Sequence, residues 1–386
     1  MQYSKIDNLL EKRAEEYPEQ GAVRTKLDSK LSDFVNTIFS KWKKIGGSDI
    51  DKEKIKKSNS LIGYPIFIGG NMKSGTTLML QLLDDHPQIF AMPGDSHYLN
   101  NYEEYSSYNF EELAEFWLKR LVIPTPTGAF WFLGKNEENY ITFLDYLNYF
   151  LDHRPGDHNF LSSVRAVYSA NPTASGKEKY WVEKTPKNEL KAERLFSEFD
   201  NATFINMLRD PLVNISSLKR LSRYRGNDFS AWHEALGQKK LLMKAKKNKI
   251  SFDKDYFCMK YEELVSDTKK SMKDIANFLG ISFEVCMLEP TENGCSTQSK
   301  SMYSEDRKKQ GEVVDKSSSE KWKEDLSNRD KRYIVSIMGS IPFSLSYKKW
   351  GKAEILKHKS WFIFLLFFPL YHLYSLYKEL KVKLNV

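Results

Sequence analysis

Residues 64–80 read YPIFIGGNMKSGTTLML. Pro65, Ile66, Phe67 and Ile68 form a short apolar run that stops at Gly69-Gly70, the pattern of a buried strand meeting a turn. A small polar turn, Asn71 to Thr77, follows, and Leu78 to Leu83 open a helical segment that Pro87 should close. A strand, a glycine-rich turn and a helix in this order make a phosphate cradle. Glycines let backbone N–H groups converge on an anion, with the positive end of the helix dipole beneath it.

The nucleoside-triphosphate version of this loop reads G-x-x-x-x-G-K-[ST], with its lysine directly after the second glycine. Gly70 and Gly75 have that separation, but Thr76 stands where the lysine belongs and the loop carries Lys73 instead. A loop lysine followed by Ser74, Gly75, Thr76 and Thr77 suits one 5′-phosphate bearing an activated group. It leaves the magnesium and γ-phosphate machinery of a kinase or NTPase unbuilt.

From GNMKSGTTLMLQLLDDHP onward the sequence resembles sulfotransferases that use 3′-phosphoadenosine 5′-phosphosulfate (PAPS), more so the tyrosylprotein and heparan-sulfate branch than the small-phenol branch. The resemblance runs from about Pro65 to about Trp350 and implies an α/β fold, a parallel sheet flanked by helices in the P-loop style. By residue-by-residue carry-over, it implies that Lys73 to Thr77 hold the 5′-phosphosulfate.

The same resemblance assigns further positions. In Asp95-Ser96-His97, a carboxylate and an imidazole two apart would share one face of an extended segment. The heparan-sulfate branch has a glutamate at the position of Asp95, so Asp95 is the expected base, with His97 as its neighbour or replacement. Glu183-Lys184-Thr185-Pro186 matches the family's Glu-Lys-Thr/Ser-Pro pattern and implies that Lys184 faces the transferring group. The strand candidate 202–208 runs into Arg209-Asp210-Pro211, and Arg209 with Ser217 would hold the 3′-phosphate, guanidinium in a fork and hydroxyl as one more donor. Tyr261 would contact the nucleotide. Ser296 would approach the sulfate, and Lys321 matches the cation of a closing loop.

Composition bounds the rest. The 386 residues are 41% hydrophobic and 14% aromatic, which excludes a disordered chain. The net charge of +8 suits a polyanionic donor, an acidic acceptor or an anionic membrane surface, or simply a solvated lysine-rich face. The same two readings apply to the basic stretch 219–250. Cys258, Cys286 and Cys295 lack metal-ligand spacing, and Met1 to Lys5 open no secretory leader; the expectation is free thiols, no metal site and a cytoplasmic setting, with the cytoplasmic face of a membrane as a variant.

Three domains are expected. Residues 1–60 form a helical appendage whose apolar stripe is Leu31, Phe34, Val35, Ile38 and Trp42. Residues 61–352 form the catalytic domain, in which the aromatic-rich part 100–178 supplies core helices or an acceptor pocket. Residues 353–386 carry the apolar, Lys-flanked run 361–377, expected as a C-terminal hydrophobic helix touching a membrane peripherally. No nucleic-acid partner is expected. The acceptor hydroxyl or amine is open among glycan, lipid, small molecule and peptidyl tyrosine. The rival readings are a P-loop kinase or NTPase and an inactive membrane-associated scaffold.

Overall fold

The computed structural model describes residues 20–45, 47, 50–125, 128–153, 158–296 and 321–347. The apolar tail 361–377 and residues 297–320 lie outside them. By internal contacts the chain divides into two units, Met1–Leu208 with Lys247–Lys316, and Arg209–Lys246 with Ser317–Val386.

The first unit is α/β. It opens with helices α1 (Gln20–Ile45) and α2 (Lys52–Leu61), then strand β1 (Pro65–Gly70), helix α3 (Thr76–Leu83) and β2 (Ile89–Asp95). Helices α4 (Tyr102–Ser107) and α5 (Phe110–Arg120), the hairpin β3 (Val122–Thr125) and β4 (Gly128–Trp131), and helices α6 (Glu137–His153) and α7 (Asn159–Ala170) follow. Then come β5 (Tyr180–Lys184), α8 (Ala192–Glu198) and β6 (Thr203–Leu208). The second unit contributes α9 (Pro211–Tyr224) and the start of α10 (Ala231–Phe252), which re-enters the first unit. The first unit ends with β7 (Tyr256–Lys260), α11 (Tyr261–Ser266), α12 (Thr268–Leu279) and the hairpin β8 (Thr291–Glu292) and β9 (Cys295–Ser296).

Five strands form one parallel sheet in the order β2-β5-β1-β6-β7. β1 sits at its centre, and all six of its residues are buried. That is why its sequence is a continuous apolar run: a parallel strand covered on both faces needs no polar alternation. The pleat divides the strands between two cores. Phe67, Phe90, Trp181 and Phe204 face a core built with α1, α5, α6 and α7, where the Phe67 and Trp181 rings meet edge to face at 5.5 Å. Ile66, Ile68, Val182 and Ile205 face the other, closed by Met79 and Leu83 of α3 and by Met272 and Ile275 of α12.

The predicted stripe of α1 is buried here: Phe34 packs edge-on against Trp131 and Tyr140, and Trp42 Nε1 donates to Asp145 Oδ1 at 2.7 Å. The aromatic stretch 100–178 is mostly core; Trp117, Phe132, Tyr140 and Phe160 are all inaccessible. Two boundaries differ from expectation. α3 starts at Thr76 rather than Leu78, because left-handed Gly75 (φ +99°) caps it, and it stops at Leu83, ahead of Pro87.

In the second unit Asp210 caps α9 through the N–H groups of Leu212 and Val213, with Pro211 in the first turn. α9 meets α13 (Trp322–Asp325) and α14 (Asn328–Met338) through ion pairs. Arg220 Nη1 donates to Asp325, and Lys219 Nζ donates to Asp330 at 2.9 Å. Among the described residues, no helix is long and apolar enough to cross a membrane.

Candidate active site

In a parallel sheet all carboxyl ends point the same way, and the chemistry-bearing residues of the first unit collect on that edge. The cradle is the turn between β1 and α3. Gly70 has φ +137°, and a Cβ on it would collide with the Met207 carbonyl and with Ser74 Oγ. A Cβ on Gly75 would fall 2.5 Å from the ring of Tyr261, so the sequence-predicted Tyr261 does reach the loop. Lys73 is left-handed (φ +65°) and half-buried. Ser74 is buried, and its hydroxyl has no hydrogen-bond partner among the described residues. Thr76 is buried and Thr77 exposed at the first turn of α3, which lacks a side-chain cap and so leaves its N–H groups for an anion. A tight turn that two glycines make possible, an unspent hydroxyl and an uncapped helix start fit a phosphate-like group.

The floor of the cradle is a carboxylate that the sequence reading missed. Gly70 N–H donates to Glu189 Oε2 at 2.8 Å, and the Gly70 carbonyl accepts from Lys187 N–H at 2.8 Å. Glu189 is buried, and burial pushes its carboxyl up to about 7 against the pull of the backbone N–H groups of Glu189 itself and Gly70 and of the Lys187 charge.

Beside the cradle, Ile68 is in register with Lys184 of β5, and Lys184 with Asp95 of β2. Lys184 Nζ donates to Asp95 Oδ1; the lysine side chain is 7% exposed and the aspartate 35%. The expected common face of Asp95 and His97 in one extended strand is not found. β2 ends at Asp95, and His97 turns left-handed (φ +58°), because side-chain bonds rather than a sheet ladder hold this stretch. The imidazole still feels the Asp95 charge. Burial lowers its proton affinity, with Asp95 opposing and Arg120 and Lys184 reinforcing, which favours the neutral ring. Arg120 Nε donates to the Asp95 carbonyl at 3.2 Å while its guanidinium covers the Phe116 ring.

A second carboxylate missed by sequence reasoning, Glu292 of β8, feels the charges of Asp84 and Lys184. Burial pushes it up to about 7, Asp84 adds to the rise and Lys184 opposes it. Its hairpin is pinned to the end of α3, since Asp84 accepts from Gly294 N–H and from Thr291 Oγ1, both at 2.9 Å. Ser296 is exposed on β9 of the same hairpin. No local pattern announces Glu292 or Glu189; only the fold carries them to the strand ends.

Arg209, Ser217 and Lys321 belong to the second unit. Arg209 and Ser217 are buried, and Arg220 Nη2 donates to Ser217 Oγ at 3.1 Å. Lys321 is half-buried at the start of α13.

The model of the sulfotransferase family matches residues 65–285, more than half of the chain. The chain belongs to the sulfotransferase family. Among solved structures, it is similar to the sulfotransferase domain of the Synechococcus PCC 7002 olefin synthase, at 18% identity over 73% of this chain and 94% of that one, with a TM-score of 0.42. The sulfotransferase domain from the curacin biosynthetic pathway follows at 17% identity, 74% and 99% coverage and a TM-score of 0.42. Sulfotransferase STF9 from Mycobacterium avium aligns at 14% identity, 74% and 85% coverage and a TM-score of 0.39. No curated protein matches the sequence.

Proposed function

We propose that this sulfotransferase moves the sulfuryl group of PAPS to an acceptor hydroxyl or amine. The observation that carries the reading is one strand edge on which a glycine cradle with an unspent serine hydroxyl adjoins a buried lysine paired with a half-exposed carboxylate and, beside them, the His97 imidazole. The cradle N–H groups, Ser74 and Lys73 take the 5′-phosphosulfate. Asp95 or His97 takes the acceptor proton as the acceptor attacks sulfur. Lys184, resting on Asp95, is placed to counter charge on the bridging oxygen as the old sulfur–oxygen bond breaks. Beside that proton transfer, catalysis is mainly alignment and fixed charge, by analogy with phosphoryl transfer. The assignment of Arg209 and Ser217 to the 3′-phosphate rests on their sequence pattern.

Calorimetric titration with adenosine 3′,5′-bisphosphate, AMP and ATP, without magnesium, tests the donor. The expected result is tight bisphosphate binding, weak AMP and ATP binding, and loss of bisphosphate binding in Arg209→Ala. Preference for ATP, or dependence on magnesium, would overturn the reading in favour of a kinase or NTPase.

A further inference from the structure

The first unit buries a glutamate that the transfer chemistry does not use. Glu183 lies on β5 on the same side of the pleat as Trp181, and it is 1% exposed. A carboxylate in such a place is costly unless it is hydrogen-bonded. Here three donors meet it in a directed way. Oε1 accepts the hydroxyls of Ser96 at 2.5 Å and Thr185 at 2.6 Å, and Oε2 accepts Asn188 Nδ2 at 2.6 Å.

The two hydroxyls extend the network into the backbone of the strand end opposite. Each has one proton, spent on Glu183, so its lone pairs are left to accept. Thr185 Oγ1 accepts His97 N–H at 3.0 Å and Ser96 Oγ accepts Tyr98 N–H at 3.0 Å. Thr185 follows Lys184 directly, and Ser96 lies between Asp95 and His97. His97 needs the support: a left-handed backbone is strained for any residue with a side chain. Tyr105, donating from its hydroxyl to the Ser96 carbonyl at 2.6 Å, closes the turn from the other side.

We propose that Glu183 is the positioning residue of the site, fixing the Asp95-Ser96-His97 turn against Lys184-Thr185 through two hydroxyl relays. The inference rests on the roles given above to Asp95, His97 and Lys184. Glu183 touches no reacting atom. Burial raises its proton affinity, while the three donors, Ser96, Thr185 and Asn188, oppose that rise.

Amide hydrogen exchange by NMR on the full chain reads the network directly, alongside adenosine 3′,5′-bisphosphate affinity and release of that bisphosphate from PAPS with water as acceptor. In Glu183→Gln the new amide opposes Asn188, and the His97 and Tyr98 amides exchange about tenfold faster or more. Phe67 and Ile68 in β1 keep their protection, bisphosphate affinity stays within about twofold, and PAPS turnover slows by about tenfold or more. Thr185→Val, which keeps shape and loses the hydroxyl, reproduces the His97 effect; Thr185→Ser restores wild-type exchange and turnover. That pair decides the matter if Glu183→Gln does not fold. Unchanged His97 exchange, equal loss of protection in β1, or faster exchange with unaltered turnover would each overturn the proposal. A wild type that neither binds the bisphosphate nor turns PAPS over removes the donor reading instead, and the exchange data still report on the network.

Discussion

At the end of β1 the protein builds with absence: two glycines let neighbouring atoms close in where a Cβ would collide, and one buried hydroxyl is left unspent. At the ends of β5 and β2, the next two strands, it builds with side chains: Lys184 on Asp95, and Glu183 holding Ser96, Thr185 and Asn188. The first arrangement is local in sequence and tolerates no added atoms. The second joins residues from distant parts of the chain and depends on each atom it contains. A cradle can therefore be destroyed by adding a methyl group, and the side-chain cluster by removing a single donor.

Four substitutions sharpen or break this contrast. The largest effect is expected from Lys184→Met, which removes the cluster's only direct link to the transferring group in the proposed chemistry. Transfer should fall by roughly 10²–10³-fold, while calorimetric affinity for adenosine 3′,5′-bisphosphate changes little; a matching loss of affinity would place the lysine in the cradle instead.

Glu189 under the cradle comes next. Its folded pKa of about 7 lies above the ordinary 4.5, so the folded chain keeps a proton that the unfolded chain has lost. Stability contributed by this group is therefore present below about pH 4.5 and is lost as pH rises through about 7. Glu189→Gln, which mimics the protonated form, should flatten its share of that slope, up to about 3 kcal/mol, in urea unfolding compared at pH 5 and pH 8. Equal slopes in the two proteins would show that the carboxyl is not the source.

Gly75→Ala adds one methyl against Tyr261 at a left-handed position. Strain there costs about 1–2 kcal/mol, so bisphosphate affinity should drop roughly fivefold to thirtyfold, whereas exchange at His97 should not move. The smallest effect is expected from Ser74→Ala. It removes a buried hydroxyl that has no partner among the described residues, so thermal stability should hold or rise slightly while bisphosphate affinity falls by a few-fold, about 1 kcal/mol. A clear loss of stability would mean that the hydroxyl serves the fold rather than the ligand.

The contrast also explains what the sequence disclosed. The cradle was readable because Gly70 and Gly75 stand five apart in one short turn between an apolar run and a helix. Lys184 and Asp95 were readable through their flanking motifs, and the register of β2, β5 and β1 does bring their strand ends together. Glu183 lay in plain sight inside a quoted motif without revealing its task, since its partners include Ser96, which looked like a spacer. The common face expected of Asp95 and His97 failed because the strand stops at Asp95 and side-chain bonds then set the backbone. Glu189 and Glu292 gave no signal at all. Their environments are made by burial and by neighbours from other elements, and neither quantity has a local pattern.

The strand order carries a consequence for how the protein is made. Pro65 of β1 pairs with Trp181 of β5, and Ile66 with Thr203 of β6. A ribosome elongating at ~5–20 residues per second needs on the order of ten seconds to deliver the first of those partners. For that interval the fully buried central strand has no sheet neighbour with which to pair. Chaperone dependence of the nascent chain should therefore be set by the interval between β1 and β5, and should shorten if the segment between β2 and β5 is shortened.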